Sequence, residues 1–317
     1  MSTTGLTQLY TESFSTNLRL RLQQKGSRLR STVMEGFHVG KQASPVDYMA
    51  AIQTKAVQGR FQPIEATDND YQRRWVVPAS KDVSQLFDTF DKLKTIEDPQ
   101  SQAVVNASNA MGRDWDDVLI ANAFAVATIS NVDGTSLTTE SFSTSSYGIS
   151  EKFGDGSTAV GMTVDKLIEA IRIFEHSHVD IEDQENEART LIIGSTQRSN
   201  MLKLTEVVSR EFNDRPVLQN GQLISFLGWG IKGSERLNYG TGIGSSSNTR
   251  QCIAYVKSGL YLGIWQDVTF DVDRRKDLQG LPWQVYGMHT FGASRLEPGR
   301  LLRIDCANDS VGADITP

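Results

Sequence analysis

The 317-residue chain is 38% apolar and 22% charged, the composition of an ordered globular protein rather than a disordered or fibrous one. Its formal net charge is −6, but residues 1–41 hold six basic against two acidic side chains, a net +4 that leaves −10 on the other 276. That balance argues against a protein whose main work is gripping DNA, which needs a concentrated basic surface for counterion release.

The length allows one or two domains, and the lean apolar content leaves burial to be completed at subunit contacts. The hydroxyl-rich start, "MSTTGLTQLYTESFSTNL", is not a signal peptide. The longest mostly apolar stretch, Val118 to Ile129, contains Asn122 and is too short to span a bilayer. Cys252 and Cys306 match no metal spacing and read as reduced thiols of a protein made in a cytosol.

In chain order, residues 1–30 form a basic arm ending in "QQKGSRLR". Residues 31–80 show scattered apolar residues and one clear strand, "QRRWVV" (Gln72 to Val77), the pattern of a projecting hairpin supported by a neighbour. Asp98 and Pro99 then open a helix as N-cap and first helical residue. Val104, Ala107, Met111, Trp115, Val118, Leu119, Asn122 and Val126 follow at spacings of three and four, predicting a beam from 99 to 127 with Gly112 as a bend point. Asp133-Gly134 is a turn, and 135–160 is Ser-, Thr- and Gly-rich without clear pattern.

Thr163 caps a second helix, with Val164, Leu167, Ile168, Ile171 and Phe174 on its apolar face. "ARTLIIGST" is a buried strand and "RSNMLKLTEVV" a helical segment. From 221 the chain is mostly β: "GQLISFLGWGI", "QCIAYVKSGLYLGIW" with a hairpin turn at Ser258-Gly259, "VTFDVD", "WQVYGMHTF" and "GRLLRID".

Motifs that would carry chemistry fail in context. Gly228, Gly230 and Gly233 spell G-x-G-x-x-G, but the fingerprint needs a following helix and a carboxylate about 20 residues on. Gly240, Gly242 and Gly244 forbid the helix, and Trp229 puts a ring where phosphate should approach. A nucleotide-binding enzyme is therefore a remote alternative, and a β segment with glycines at bends is the reading kept.

"GFHVGKQ" is one residue short of a phosphate loop. Asp114, Asp116 and Asp117 do not converge on one helix face and read as a solvated or interfacial cluster. His176 and His178 end the second helix, where histidine suits the negative dipole end. His38 and His289 have no nucleophile motif beside them. No catalytic residue, cofactor or metal is assigned.

The order of pieces, together with "QQKGSRLRSTV", "QRRWVVP", "EDPQSQAVVNASNAMGRDWDDVLIANAFA", "MTVDKLIEAIRIFE" with "ARTLIIGSTQRSNML", "CIAYVKSGLYLGIWQDV" and "MHTFGASRLEPGRLLRIDC", resembles the major capsid proteins of tailed bacteriophages, the Hong Kong 97-type shell fold. The resemblance covers nearly the whole chain. It implies an α+β fold with an N-terminal arm (1–30), an extended loop (31–80), a peripheral domain with a long spine helix (81–160 and 260–317) and an axial domain (161–259).

It also implies a structural protein, not an enzyme. The chain would self-assemble, as hexamers and pentamers in the bacterial host cytoplasm, into an icosahedral head around double-stranded DNA bound without sequence preference. The resemblance further implies a scaffolding protein and a portal as assembly partners and allows a decoration protein. An arm beginning almost at Met1 suggests a separately encoded scaffold, although a proteolytically processed chain could begin the same way.

Arg28, Arg30, Arg73, Arg74 and Trp75 are the expected intersubunit contacts. Some relatives join Lys to Asn between subunits, and Lys41 or Lys55 and Asn308 hold matching places by location alone. "YGTGIGSSSN" reads as a mobile loop facing the capsomer axis. A nanocompartment shell of the same fold, storing an enzyme, is the alternative.

Overall fold

The computed structural model describes residues 23–40, 43–49, 52–56, 59, 66, 71–87, 100–131, 137–179, 188–204, 218–219 and 222–308. Most of the expected arm, Lys41, Asp98, Pro99 and the Asp133-Gly134 turn lie outside the described residues. Those described are mixed α+β, as the sequence predicts. The chain divides into two units: residues 1–26, 80–113 and 268–289 form one, and 27–79, 114–267 and 290–317 the other.

The beam helix, Gln100–Ala123, supplies residues to both units. Its 24 residues extend about 36 Å. Ala103, Ala107, Met111, Trp115, Leu119, Ile120 and Ala123 are buried at spacings of one, three and four, and the helix passes Gly112 without a break. It stops at Ala123 rather than at the expected 127. The β-branched residues Val126, Thr128 and Ile129 favour extended backbone, and Ala127–Asn131 is a strand paired antiparallel to residues 72–75.

In the smaller unit, 268–274, 283–289 and 80–87 run side by side. Gly287 lets the helix lie close, because a Cβ there would meet the Phe270 ring at 2.6 Å and the Met111 methyl at 2.8 Å. The chain at 23–26 is tied to the same helix. Arg113 donates to Gln23 Oε1 (2.7 Å), and Asn109 Oδ1 accepts from the Gly26 amide (3.2 Å).

The larger unit is centred on a seven-stranded sheet. Its main path runs Ser225–Phe226, Trp229–Gly233, Arg189–Ile193, Thr249–Val256, Leu301–Ala307 and Gly148–Ile149, with Tyr239–Gly240 pairing on Thr249–Val256. Every residue of Arg189–Ile193 is buried, as befits a continuous apolar run inside a sheet.

Helix Val164–His176 starts where Thr163 accepts from the Lys166 amide (3.4 Å), the predicted cap. Its buried face is rotated from the expected one: Leu167, Ala170, Ile173 and Phe174 are inside with Lys166, while Ile168 is 54% exposed. Lysine is tolerated there because its ammonium donates to the carbonyls of Glu151 (3.2 Å), Val160 (2.9 Å) and Asp305 (2.9 Å), which replace its water.

A second sheet takes Ala43–Met49, Tyr71–Val76, Ala127–Asn131 and Leu137–Glu140 in that order, all antiparallel. Ala43–Met49 and Tyr71–Val76 thus pair antiparallel within the expected hairpin region, and Tyr71–Val76 is also paired with Ala127–Asn131. The expected hairpin at Ser258-Gly259 is a correction. Lys257–Gly259 is a turn of 3₁₀ helix, but the strands either side belong to different sheets. Thr249–Val256 pairs with Leu301–Ala307, whereas Leu260–Arg274 pairs in parallel with Met34–Phe37. Gly259 permits this exit because a Cβ would stand 2.6 Å from the Arg300 carbonyl oxygen.

Candidate functional site

The glycine fingerprint resolves into a turn and a strand. Leu227 and Gly228 have φ of 49° and 74°, joining Ser225–Phe226 to Trp229–Gly233 in a tight hairpin rather than one bent strand. Gly228 suits the positive φ, and a Cβ there would also have to displace the Arg189 guanidinium, 2.3 Å away. Trp229 is fully buried against Phe174, ring centres 5.5 Å apart, and turns follow Gly233 where a nucleotide site needs a helix. In the "GFHVGKQ" segment, Phe37 ends a strand and His38 hydrogen-bonds the Tyr261 hydroxyl at 2.5 Å. Among the described residues no group of three or more His, Cys, Asp or Glu could hold a metal ion, and no helix is long and apolar enough to cross a membrane.

The Asp114–Asp117 cluster is corrected in one respect: Asp116 is fully buried. Its carboxylate accepts from Ser27 Oγ (2.6 Å) and from the amides of Arg28 (3.1 Å) and Leu29 (3.2 Å). That fastens the chain where it leaves the expected arm. The clue in the sequence was spacing, because Asp116, Ile120 and Ala123 share a helix face. Asp117 pairs with Arg236.

The "YGTGIGSSSN" loop is tethered by two buried carboxylates, which sequence reasoning missed. Glu151 accepts from the amides of Gly244 and Ser246 (both 2.8 Å), and Asp305 accepts from that of Ile243 (2.8 Å). Burial alone would raise the Glu151 pKa, but those amides outweigh it and hold the group at about 2. Burial raises that of Asp305, against the pull of Arg303 at 2.8 Å. Cys252 and Cys306 are fully buried free thiols on neighbouring strands; hydrogen bonding to Cys306 and burial push the Cys252 thiol up.

The five expected contact residues have these positions. Arg28 is exposed and donates to the Gly233 carbonyl at 2.6 Å. Arg30 bridges Glu35 and Asp267, each at 3.2 Å, with its guanidinium 4.1 Å from the centre of the Trp115 ring. Arg73 forms a two-pronged pair with Asp47 (2.6 and 2.8 Å) across the hairpin. Arg74 is only 1% exposed and pairs with Glu140 at 2.5 Å, so its side chain has almost no surface to offer a neighbour. Trp75 lines a cleft of about 270 Å³ with Val77, Val126 and Phe291. On or beside the hairpin sheet, Met49, Tyr71, Val77, Val126 and Leu137 are exposed by 45–66%.

A sheet-rich core, a beam helix and a hairpin sheet with apolar residues left in the open describe a shell-forming subunit. The family model described as phage capsid protein matches residues 6–308, and the chain belongs to that family. It is a major capsid protein, which forms the phage head and resides in the virion.

Solved structures share the Hong Kong 97-type fold at low identity. The capsid of cyanophage P-SCSP1u is 15% identical, with 96% of this chain and 94% of that one covered and a TM-score of 0.71. The cyanophage Pam1 capsid is 14% identical, with 96% and 98% covered and a TM-score of 0.69. The acid-stable capsid of Helicobacter pylori bacteriophage KHP30 is 12% identical, with 98% of both chains covered and a TM-score of 0.65. A search of curated protein sequences returned no match.

Proposed function

We propose that the chain assembles as hexamers and pentamers into an icosahedral head around double-stranded DNA that it does not read by sequence, and that its role is structural, not catalytic. In this reading residues 1–30 run along the shell and 31–80 reach over an adjacent subunit. Residues 81–160 and 260–317 make the peripheral domain, and 161–259 face the capsomer centre. Arg28, Arg30, Arg73 and Trp75 touch neighbours, while Arg74 pairs with Glu140 within its own subunit. A scaffolding protein and a portal act during assembly, and a decoration protein is compatible with the outer face.

The observation that carries the reading is the exposed apolar set on the hairpin sheet, Met49, Tyr71, Val77, Val126 and Leu137. A lone subunit gains nothing from wetting these side chains, whereas obligate interfaces bury such surface over more than about 2,000 Å². Negative-stain microscopy of the purified full chain tests this. Uniform shells or capsomers are expected; a monomer that never assembles would refute it.

A further inference from the structure

A cleft of about 540 Å³ opens in the larger unit between the start of the described chain and the glycine hairpin. It is lined by Arg28, Arg198 and Lys232 together with Ser27, Ser31 and the apolar Leu223, Ile224 and Ile231, and among the described residues no carboxylate lines it. Lys232 is exposed, and Arg198 has its Nε buried without a hydrogen-bond partner among the described residues. Three cations around one concavity repel each other, and a bound anion relieves that repulsion.

The densest run of negative charge in the sequence is 180–187, "DIEDQENE", with five carboxylates in eight residues. It leads into strand Arg189–Ile193. That strand is parallel to Trp229–Gly233, with Thr190 opposite Gly230 and Ile193 opposite Gly233. The cleft lies at the Lys232–Gly233 end, about 13 Å along the sheet from Arg189. We propose that the cleft binds the acidic stretch 180–187 of a second copy of this chain, through carboxylates set against Arg28, Arg198 and Lys232. The proposal rests on the shell reading and adds to it a specific contact between copies.

Charge swapping tests it on the full chain. Lys232→Glu should raise the concentration needed for assembly on the order of tenfold, as loss of a close interfacial charge pair does. Glu182→Lys with Glu185→Lys should do the same. The two variant chains mixed together should recover much of the assembly that each lacks alone. Unchanged thermal unfolding of the unassembled variants separates lost contact from lost fold.

Normal assembly by Lys232→Glu would overturn the proposal and leave the shell reading intact. Recovery only when all three substitutions share one chain would place the contact within a subunit, against the proposal. Normal shells that fail only to retain DNA would assign the cleft to phosphate instead. Failure of the unaltered chain to assemble at all would strike the shell reading itself.

Discussion

The seven-stranded sheet and the hairpin sheet of the larger unit bury themselves to different degrees. In the seven-stranded sheet, Leu191, Ile192, Ile193, Ala254, Leu302 and Ile304 are all at most 1% exposed, so its stability is internal. In the hairpin sheet, Val76 is buried to the same degree, yet Leu137 is 66% exposed and Met49 51%. One sheet is a finished core, and the other is half of an interface. Substitutions should therefore separate subunit folding from assembly according to the sheet they fall in.

The largest effect on the free subunit is expected from Leu191→Ala, which leaves a cavity in the finished sheet and should cost about 3–5 kcal/mol in denaturant unfolding. Asp116→Ala should follow at about 2–3 kcal/mol, because it leaves the buried Leu29 amide, the part-buried Arg28 amide and the Ser27 hydroxyl without their acceptor. Gly228→Ala combines positive φ with a close guanidinium and should cost about 1–3 kcal/mol, measured the same way.

The carboxylate tether gives a pH signature. The folded pKa of Glu151, about 2, lies below its ordinary 4.5. Its contribution is complete above about 4.5 and is lost as pH falls towards 2. Glu151→Gln should flatten that part of the acid-unfolding curve. Asp305, raised by burial, has the opposite sign and loses its contribution as pH rises through its folded value.

The smallest effects on the subunit belong to the hairpin sheet. Leu137→Ser should change subunit stability by about 0.5 kcal/mol or less and Arg73→Ala should leave it essentially unchanged, while each lowers the yield of shells counted by microscopy. If either unfolds the free subunit instead, the contrast between the sheets is wrong.

Much of this was legible in the sequence because it is periodic. The beam helix, the Thr163 cap, the buried Arg189–Ile193 strand and the hairpin's returning strand all follow from local spacing and capping chemistry. The failure of the glycine fingerprint was also legible, from the glycines that follow it. Long-range polar contacts were not. Glu151 and Asp305 hold a loop between 60 and 95 residues away from each, and no local pattern marks them. The supposed hairpin at Ser258-Gly259 misled for the same reason, since partner choice was decided by Met34–Phe37 at the other end of the chain.

The His38–Tyr261 hydrogen bond, beside that strand, spans 223 positions. On a ribosome adding about 5–20 residues per second, the first partner waits roughly 10–45 s for the second to be made. The edge of Leu260–Arg274 that receives Met34–Phe37 thus forms only when synthesis is nearly complete. Tying Met34–Phe37 to a late strand makes the subunit a product of nearly the whole message, so a nascent chain truncated before residue 260 lacks the edge on which that early segment docks.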